Sequence, residues 1–552
     1  MMKKLIKNIY TYSWVLALFM SIACTDKFEE YNTRPNLVTE GLVNVNHMLT
    51  LVQVRSIVTR APYGGGTIGN YSGMSYSGAN RPFIIQAYDD DWNYGYTEFT
   101  NNLSDIIRLT KDDPELVNKK AIARIMKVWA FSNITDTYGD IPYFQSGLPI
   151  EEAVYDPAYD PQEKIYEDFF KELKEAAAEL DASKESYGNA DLVYKGNTDK
   201  WKKLANSLRL RLALRVRYAN EAMAKAAMSD LSESDLITGR GDDAYIFTSA
   251  SNTDNENPWY TGVLNQGTNH NTSTMPHTLI SNMVIRNDPR VKIWADTAMA
   301  TFPGTNPDID WFGYRGTPLL GLVPVENKYP YGDESTSRRS YLWYVQVIER
   351  PVMRSSEVYF ALAEAALFNL KSGDAQALYQ KGVQEAMNWA QEFYALCKPQ
   401  LPKVLLTRYP DWTQSDLDLY FSHKELTQAE VDAFMASPAL VLSGTEEEKL
   451  ENIMIQKNLA MFPMESQNWA EWRRTGYPKV LVGPDNDHLK GVSPRRMLYP
   501  AVEQTINSVS WASAAGRMDQ GDHMLSKVWW DANPNVPYTA PGAVEWRATP
   551  WN

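Results

Sequence analysis

The stretch RSSEVYFALAEAALFNLKSGDAQALYQKGVQEAMNWAQEF, Arg354 to Phe393, decides the fold. Ser355 to Leu370 reads as an alanine-rich helix, with Ala361, Ala363, Ala365 and Ala366. Small side chains let a neighbouring helix come close. Gly373 is read as a left-handed stop and Asp374 as a new cap for free backbone amides. A second helix then runs from Ala375 to about Phe393. Val358, Leu362, Ala365 and Ala366 are expected to pack against it, closing a helical hairpin.

The same texture recurs outward from this stretch. Ile122, Ile125, Met126 and Trp129 recur at three- and four-residue steps, which makes one apolar stripe. Asp160-Pro161-Gln162-Glu163 reads as a helix start, with Asp160 as cap, Pro161 at the first turn and Glu163 completing a capping box. Ile165, Phe169, Leu173, Ala176 and Leu180 follow down one face. Trp201, Leu204, Ala205, Leu208 and Leu212 mark another helix, and a last pair lies between Glu446 and Arg474. Strands are few; Asp243 to Thr248 is one candidate. The predicted fold is mostly α: tetratricopeptide-like helical hairpins with long loop-rich insertions and few short strands, without a clean repeat period.

Two insertions stand out, 61–100 and 250–345. Loops this long are uncommon unless they serve function. Aromatics make up 12% of the chain, with 17 Trp and 32 Tyr. Within the insertions they are interleaved with amides, acids and arginine. An aromatic plate suits the C–H face of a sugar ring, and amide or guanidinium groups suit its hydroxyl rim. Trp259, Tyr260, Trp311 and Tyr314 are the candidate platforms. Tyr71, Tyr76, Arg81 and Asn269 are candidates for the rim. Trp92 and Tyr96 stand at helical spacing and are read as core.

The N-terminus, MMKKLIKNIYTYSWVLALFMSIAC, orders charge, apolar run and small residues as a secretory signal does. Its apolar run is too short to span a bilayer. Ser21-Ile22-Ala23-Cys24 reads as a lipobox, with Cys24 the acylated first residue and 25–40 a polar tether ahead of one body over 41–552. The leader carries three lysines and no acid, so its loss takes the net charge from −14 to −17. So acidic a chain should not bind nucleic acid, whose affinity rests on phosphate neutralisation. With Cys24 lipidated, Cys397 has no disulfide partner.

Enzyme signatures are weak. No histidine pair stands at zinc-ligand spacing. Gly64-Gly65-Gly66 lacks the strand and helix of a phosphate loop. Asp136 and Asp140 are four apart, and a glycosidase needs two poised carboxylates; a turn that ends the helix explains them better. Asp89-Asp90-Asp91 reads as a solvated run with a cap. Asp308 and Asp310 are slight grounds for calcium. No cofactor or metal is expected.

Six blocks carry a resemblance: the lipobox, TDTYGDIPYF, NSLRLRLALR, RSSEVYFALAEAAL, QNWAEWRRTGYP and SPRRMLYPAVEQTIN. In that order they resemble the SusD/RagB family of outer-membrane lipoproteins of Bacteroidetes, in its SusD-like branch. The resemblance implies four tetratricopeptide-like hairpins and a ligand face built from the insertions. It implies a lipid-anchored protein on the cell surface that captures oligosaccharide, does no chemistry, and delivers its ligand to a TonB-dependent SusC-like transporter. A peptide or glycopeptide ligand is the alternative, and an α-helical glycoside hydrolase is a more distant one. By the same analogy Trp469 to Pro478 and Arg495 to Pro500 are structural.

Overall fold

Ser355–Leu367 and Ala375–Cys397 are helical and pack together as a hairpin. Val358 and Ala365 are fully buried and Leu362 nearly so. The two helices approach closely at Gly382: a Cβ there would lie 2.9 Å from the Phe360 ring. Asp374 caps the second helix as expected, its carboxylate accepting from the Ala377 N–H at 3.1 Å. The stop is Asn369, not Gly373. Asn369 adopts φ 52°, the Leu370 N–H reaches back to the Ala365 carbonyl and the Asn369 N–H to that of Ala366. This paired closure satisfies the last free carbonyls. Gly373 instead makes room for Leu378, whose Cδ1 would stand 2.9 Å from an added Cβ.

The computed structural model describes residues 43–59, 89–149, 152–260, 275, 277–297, 313, 314, 316, 337–479 and 494–536. Asn46–Asn552 forms one compact unit. Within it, Asn101–Thr110 pairs with Val117–Tyr138, Gln162–Glu179 with Thr198–Val216, and Glu446–Met461 with Glu465–Thr475. These are hairpins of the tetratricopeptide-like kind. Among the described residues the only sheet is one ribbon, Ala244–Phe247 antiparallel to Glu349–Met353. The first of its strands lies in the predicted stretch.

The helix at Gln162 starts differently from the expectation. Asp160 pairs with Ile141 in an isolated bridge, so its carboxylate turns across to the Tyr143 and Phe144 N–H groups at 3.0 and 2.9 Å. The Gln162 N–H is capped by Asp140 from 22 residues upstream, at 2.8 Å. A free amide at a helix start takes whichever acceptor the tertiary fold delivers.

Buried charges tie the hairpins together. Arg215 meets Asp136 and Glu471; Arg474 meets Glu364 and Glu471; Arg217 meets Glu364; Arg211 meets Glu357. Asp136 also accepts from the Trp530 indole and the Tyr166 hydroxyl. Arg495 pairs with Asp531 and Arg496 with Asp522. Five of the six recognisable blocks thus supply interior charge pairs, among them Trp469 to Pro478 and Arg495 to Pro500, the two that the analogy read as structural. Asp136 is consumed by that network and Asp140 by capping and an Arg517 contact.

Candidate functional site

Asn257 builds the described part of the loop face. Its fully buried amide donates to the Trp343 and Val345 carbonyls at 2.8 and 2.7 Å, and its Oδ1 accepts from the Trp259 N–H at 3.1 Å. Pro258–Tyr260 forms one short helical turn on that anchor. The Trp259 indole meets Trp343 edge-on, with ring centres 5.7 Å apart. Trp343 in turn belongs to a core of Trp294, Trp389, Phe393 and Phe462. Trp259 is therefore the outermost, half-buried ring of an aromatic stack rooted in the hairpin Ser355–Leu367 and Ala375–Cys397.

Two guanidinium groups sit against that indole. Arg339 lies 4.3 Å from the ring centre and Arg350 lies 5.0 Å from it. Arg339 is held by an isolated bridge to Ala295, and Arg350 by its place in the ribbon. Cation–ring contact of this kind fixes a ring's tilt as well as stabilising it. Glu465, at the first turn of Glu465–Thr475, faces the same two charges. Burial pushes its carboxyl up to about 8, and Arg339 and Arg350 oppose the shift. The site thus combines a partly exposed apolar plate with a charged floor.

The other predicted residues are less open or lie elsewhere. Tyr260 is only 8% exposed, with the Lys403 ammonium 5.7 Å from its ring, and Tyr314 is 9% exposed, its hydroxyl pushed up by burial. Tyr71, Tyr76, Arg81, Asn269, Trp311 and Cys24 lie outside the described residues, as do Asp308 and Asp310. Trp92 is core as read, buried among Tyr96, Tyr138, Tyr159 and Tyr499. Sequence reasoning missed Arg339, Arg350 and Asn257. Their pattern carries no signal, because each acts on Trp259 from a different part of the chain. Among the described residues no three acids, histidines or cysteines group as a metal site, and no helix is long and apolar enough to cross a membrane. Cys397 is buried and unbonded, its thiol pushed up by burial.

A helical-hairpin scaffold carrying long insertions defines the architectural class of the protein. The comparisons place the chain within it. Residues 70–500 match the SusD-like family described as starch-binding and associating with the outer membrane. The chain belongs to that family. A chitin-binding protein of known structure superposes with a TM-score of 0.72 at 27% identity, over 89% of this chain and 100% of that one. A SusD homolog from Bacteroides uniformis gives 0.66 at 26%, over 89% and 99%. A chitin-binding SusD homolog from Flavobacterium johnsoniae gives 0.63 at 24%, over 90% and 98%. No curated protein matches.

Proposed function

We propose that this protein is a cell-surface glycan-binding lipoprotein that captures oligosaccharide and passes it to a SusC-like, TonB-dependent outer-membrane transporter. The carrying observation is Trp259: a partly exposed indole on a turn pinned by Asn257 and backed by Arg339 and Arg350. Such a plate takes the C–H face of a pyranose, and neighbouring polar groups take its hydroxyls. Membership of a family described as starch-binding, and solved chitin-binding proteins of the same fold, support the ligand class. The acylated Cys24 would hold the protein on the membrane, since two or three acyl chains anchor durably. The reading assigns no catalytic group: Asp136 and Asp140 serve the interior and a helix cap.

Calorimetry with malto- and chito-oligosaccharides tests the site. Trp259→Ala is expected to weaken binding by about tenfold, on the scale of one aromatic contact. Trp311→Ala is expected to do the same if both rings serve one face. Full affinity in both variants would place the site elsewhere, and release of reducing ends by the wild type would make the protein a hydrolase. For the anchor, Cys24→Ala should abolish labelling by a palmitate analogue and free the protein from membranes. Retention without label would require another anchor.

A further inference from the structure

A cavity with no residue of the Trp259 turn in its walls lies among the helices Asn101–Thr110, Val117–Tyr138 and Gln162–Glu179. It measures about 390 Å³, and its walls include Arg124, Lys127, Tyr143, Phe144, Asp168 and Glu172. This volume falls within the range of small-molecule sites. The charges in it are unevenly satisfied. Arg124 is saturated, meeting Glu172, Glu175 and Glu179 at 2.8, 2.7 and 2.9 Å. Lys127, one turn along the same helix, and Asp168, one turn before Glu172, form no ion pair with each other or with any described residue. Asp168 is held instead by the Tyr143 hydroxyl, which donates to its Oδ2 at 2.7 Å. Burial lowers the Lys127 pKa and raises that of Asp168, so both are partly removed from water.

Phe144 supplies what a charged pocket alone lacks. It is 51% exposed, the backbone beneath it is fixed by Asp160, and its ring meets Tyr143 edge-on at 4.9 Å. Tyr143 is locked in turn between Phe131 and Phe169, at 4.8 and 5.5 Å. Here a rigidly mounted plate stands beside one free carboxylate oxygen, one ammonium and one phenol. Those groups match a sugar ring: the plate for the C–H face, the carboxylate to accept from hydroxyls, the ammonium to donate to them.

We propose that this pocket is a second carbohydrate subsite, separate from the loop face, that takes one end of an uncharged glycan on Phe144 with Asp168 and Lys127 on its hydroxyls. The proposal rests on the reading that the chain binds glycans, but on other residues. The test is saturation-transfer NMR with maltose and N,N′-diacetylchitobiose on the wild type, Trp259→Ala, and Trp259→Ala carrying Phe144→Ala, Phe144→Tyr or Asp168→Asn. With Trp259 removed, sugar signal is expected to persist. It should then fall about fivefold with Phe144→Ala, by loss of one aromatic contact, and with Asp168→Asn, while Phe144→Tyr keeps it. Phe144 is half exposed, and Asp168→Asn keeps an acceptor for the Tyr143 hydroxyl, so thermal melting should hold in each. Sugar signal that vanishes with Trp259 alone overturns the second subsite and leaves the loop face standing. Residual signal indifferent to Phe144 and Asp168 also overturns it. No signal from either sugar in any variant, the wild type included, overturns both.

Discussion

At the scale of single residues, the loop face is governed by what stands behind Trp259. The indole is set by Asn257, Arg339 and Arg350, and Glu465 shares those two guanidinium groups. Glu465 also gives the protein a measurable pH response. Its folded pKa is raised from 4.5 to about 8 by burial, so the folded state holds a proton that the unfolded state releases. The stabilisation is complete below about 4.5 and is lost as pH rises through about 8. Asp243, pushed up to about 7 by burial, adds to the same trend. Glu465→Gln is therefore expected to flatten, not abolish, the fall in melting temperature across that window. An unchanged slope in thermal melts at stepped pH would mean that the carboxyl is ionised in the folded protein.

At the scale of elements, the ends of helices are set by two different sources. The hairpin turn is local: Asn369 in the left-handed region closes the first helix, and Asp374 opens the second. Asn369→Ala should cost roughly 1 kcal/mol, because a Cβ residue without a short polar side chain resists that conformation. Asn369→Gly should cost little or stabilise. Equal losses in both, measured by chemical denaturation, would show that the Asn side chain and not its backbone conformation matters. The turn was legible in the sequence, but its key residue was not: glycine is the commoner left-handed stop, and Gly373 is present for space. The helix at Gln162 shows the second source. Its cap is Asp140, which local spacing could not point to, because only the bridge between Ile141 and Asp160 brings the two segments together. At the hairpin core, Ala365→Glu would bury an unpaired charge where Ala365 has no exposure. A loss of about 2–4 kcal/mol is expected, read from the same denaturation curves.

At the scale of the molecule, the interior is held by charge as well as by apolar packing. Arg474 contacts Glu364 through both of its terminal nitrogens and also meets Glu471, all three residues being buried. Breaking a buried pair leaves an uncompensated charge, so Arg474→Met is expected to cost about 3–5 kcal/mol. Arg474→Lys keeps the charge but loses the planar fork, and should recover only part. A loss below about 1 kcal/mol for Arg474→Met in denaturant titration would show that the network does not tie the hairpins.

Hydrophobic period, caps and small-residue stripes are local, and they determined the helices, the hairpin at 354–393 and the strand near 244–247. Helical spacing, itself a local signal, marked Trp92 as core. What only the tertiary structure decided is how distant segments meet. Arg339 and Arg350 reach one indole through a bridge and a ribbon strand. Asp136, Arg215, Glu471, Arg474 and Glu364 form one cluster from four helices. Phe144, Lys127 and Asp168 share one pocket from two helices and a turn. Each residue in these sets has an ordinary local environment in the sequence. Its contacts come from charges and rings placed within a few ångströms by packing, and chain order carries no record of that distance.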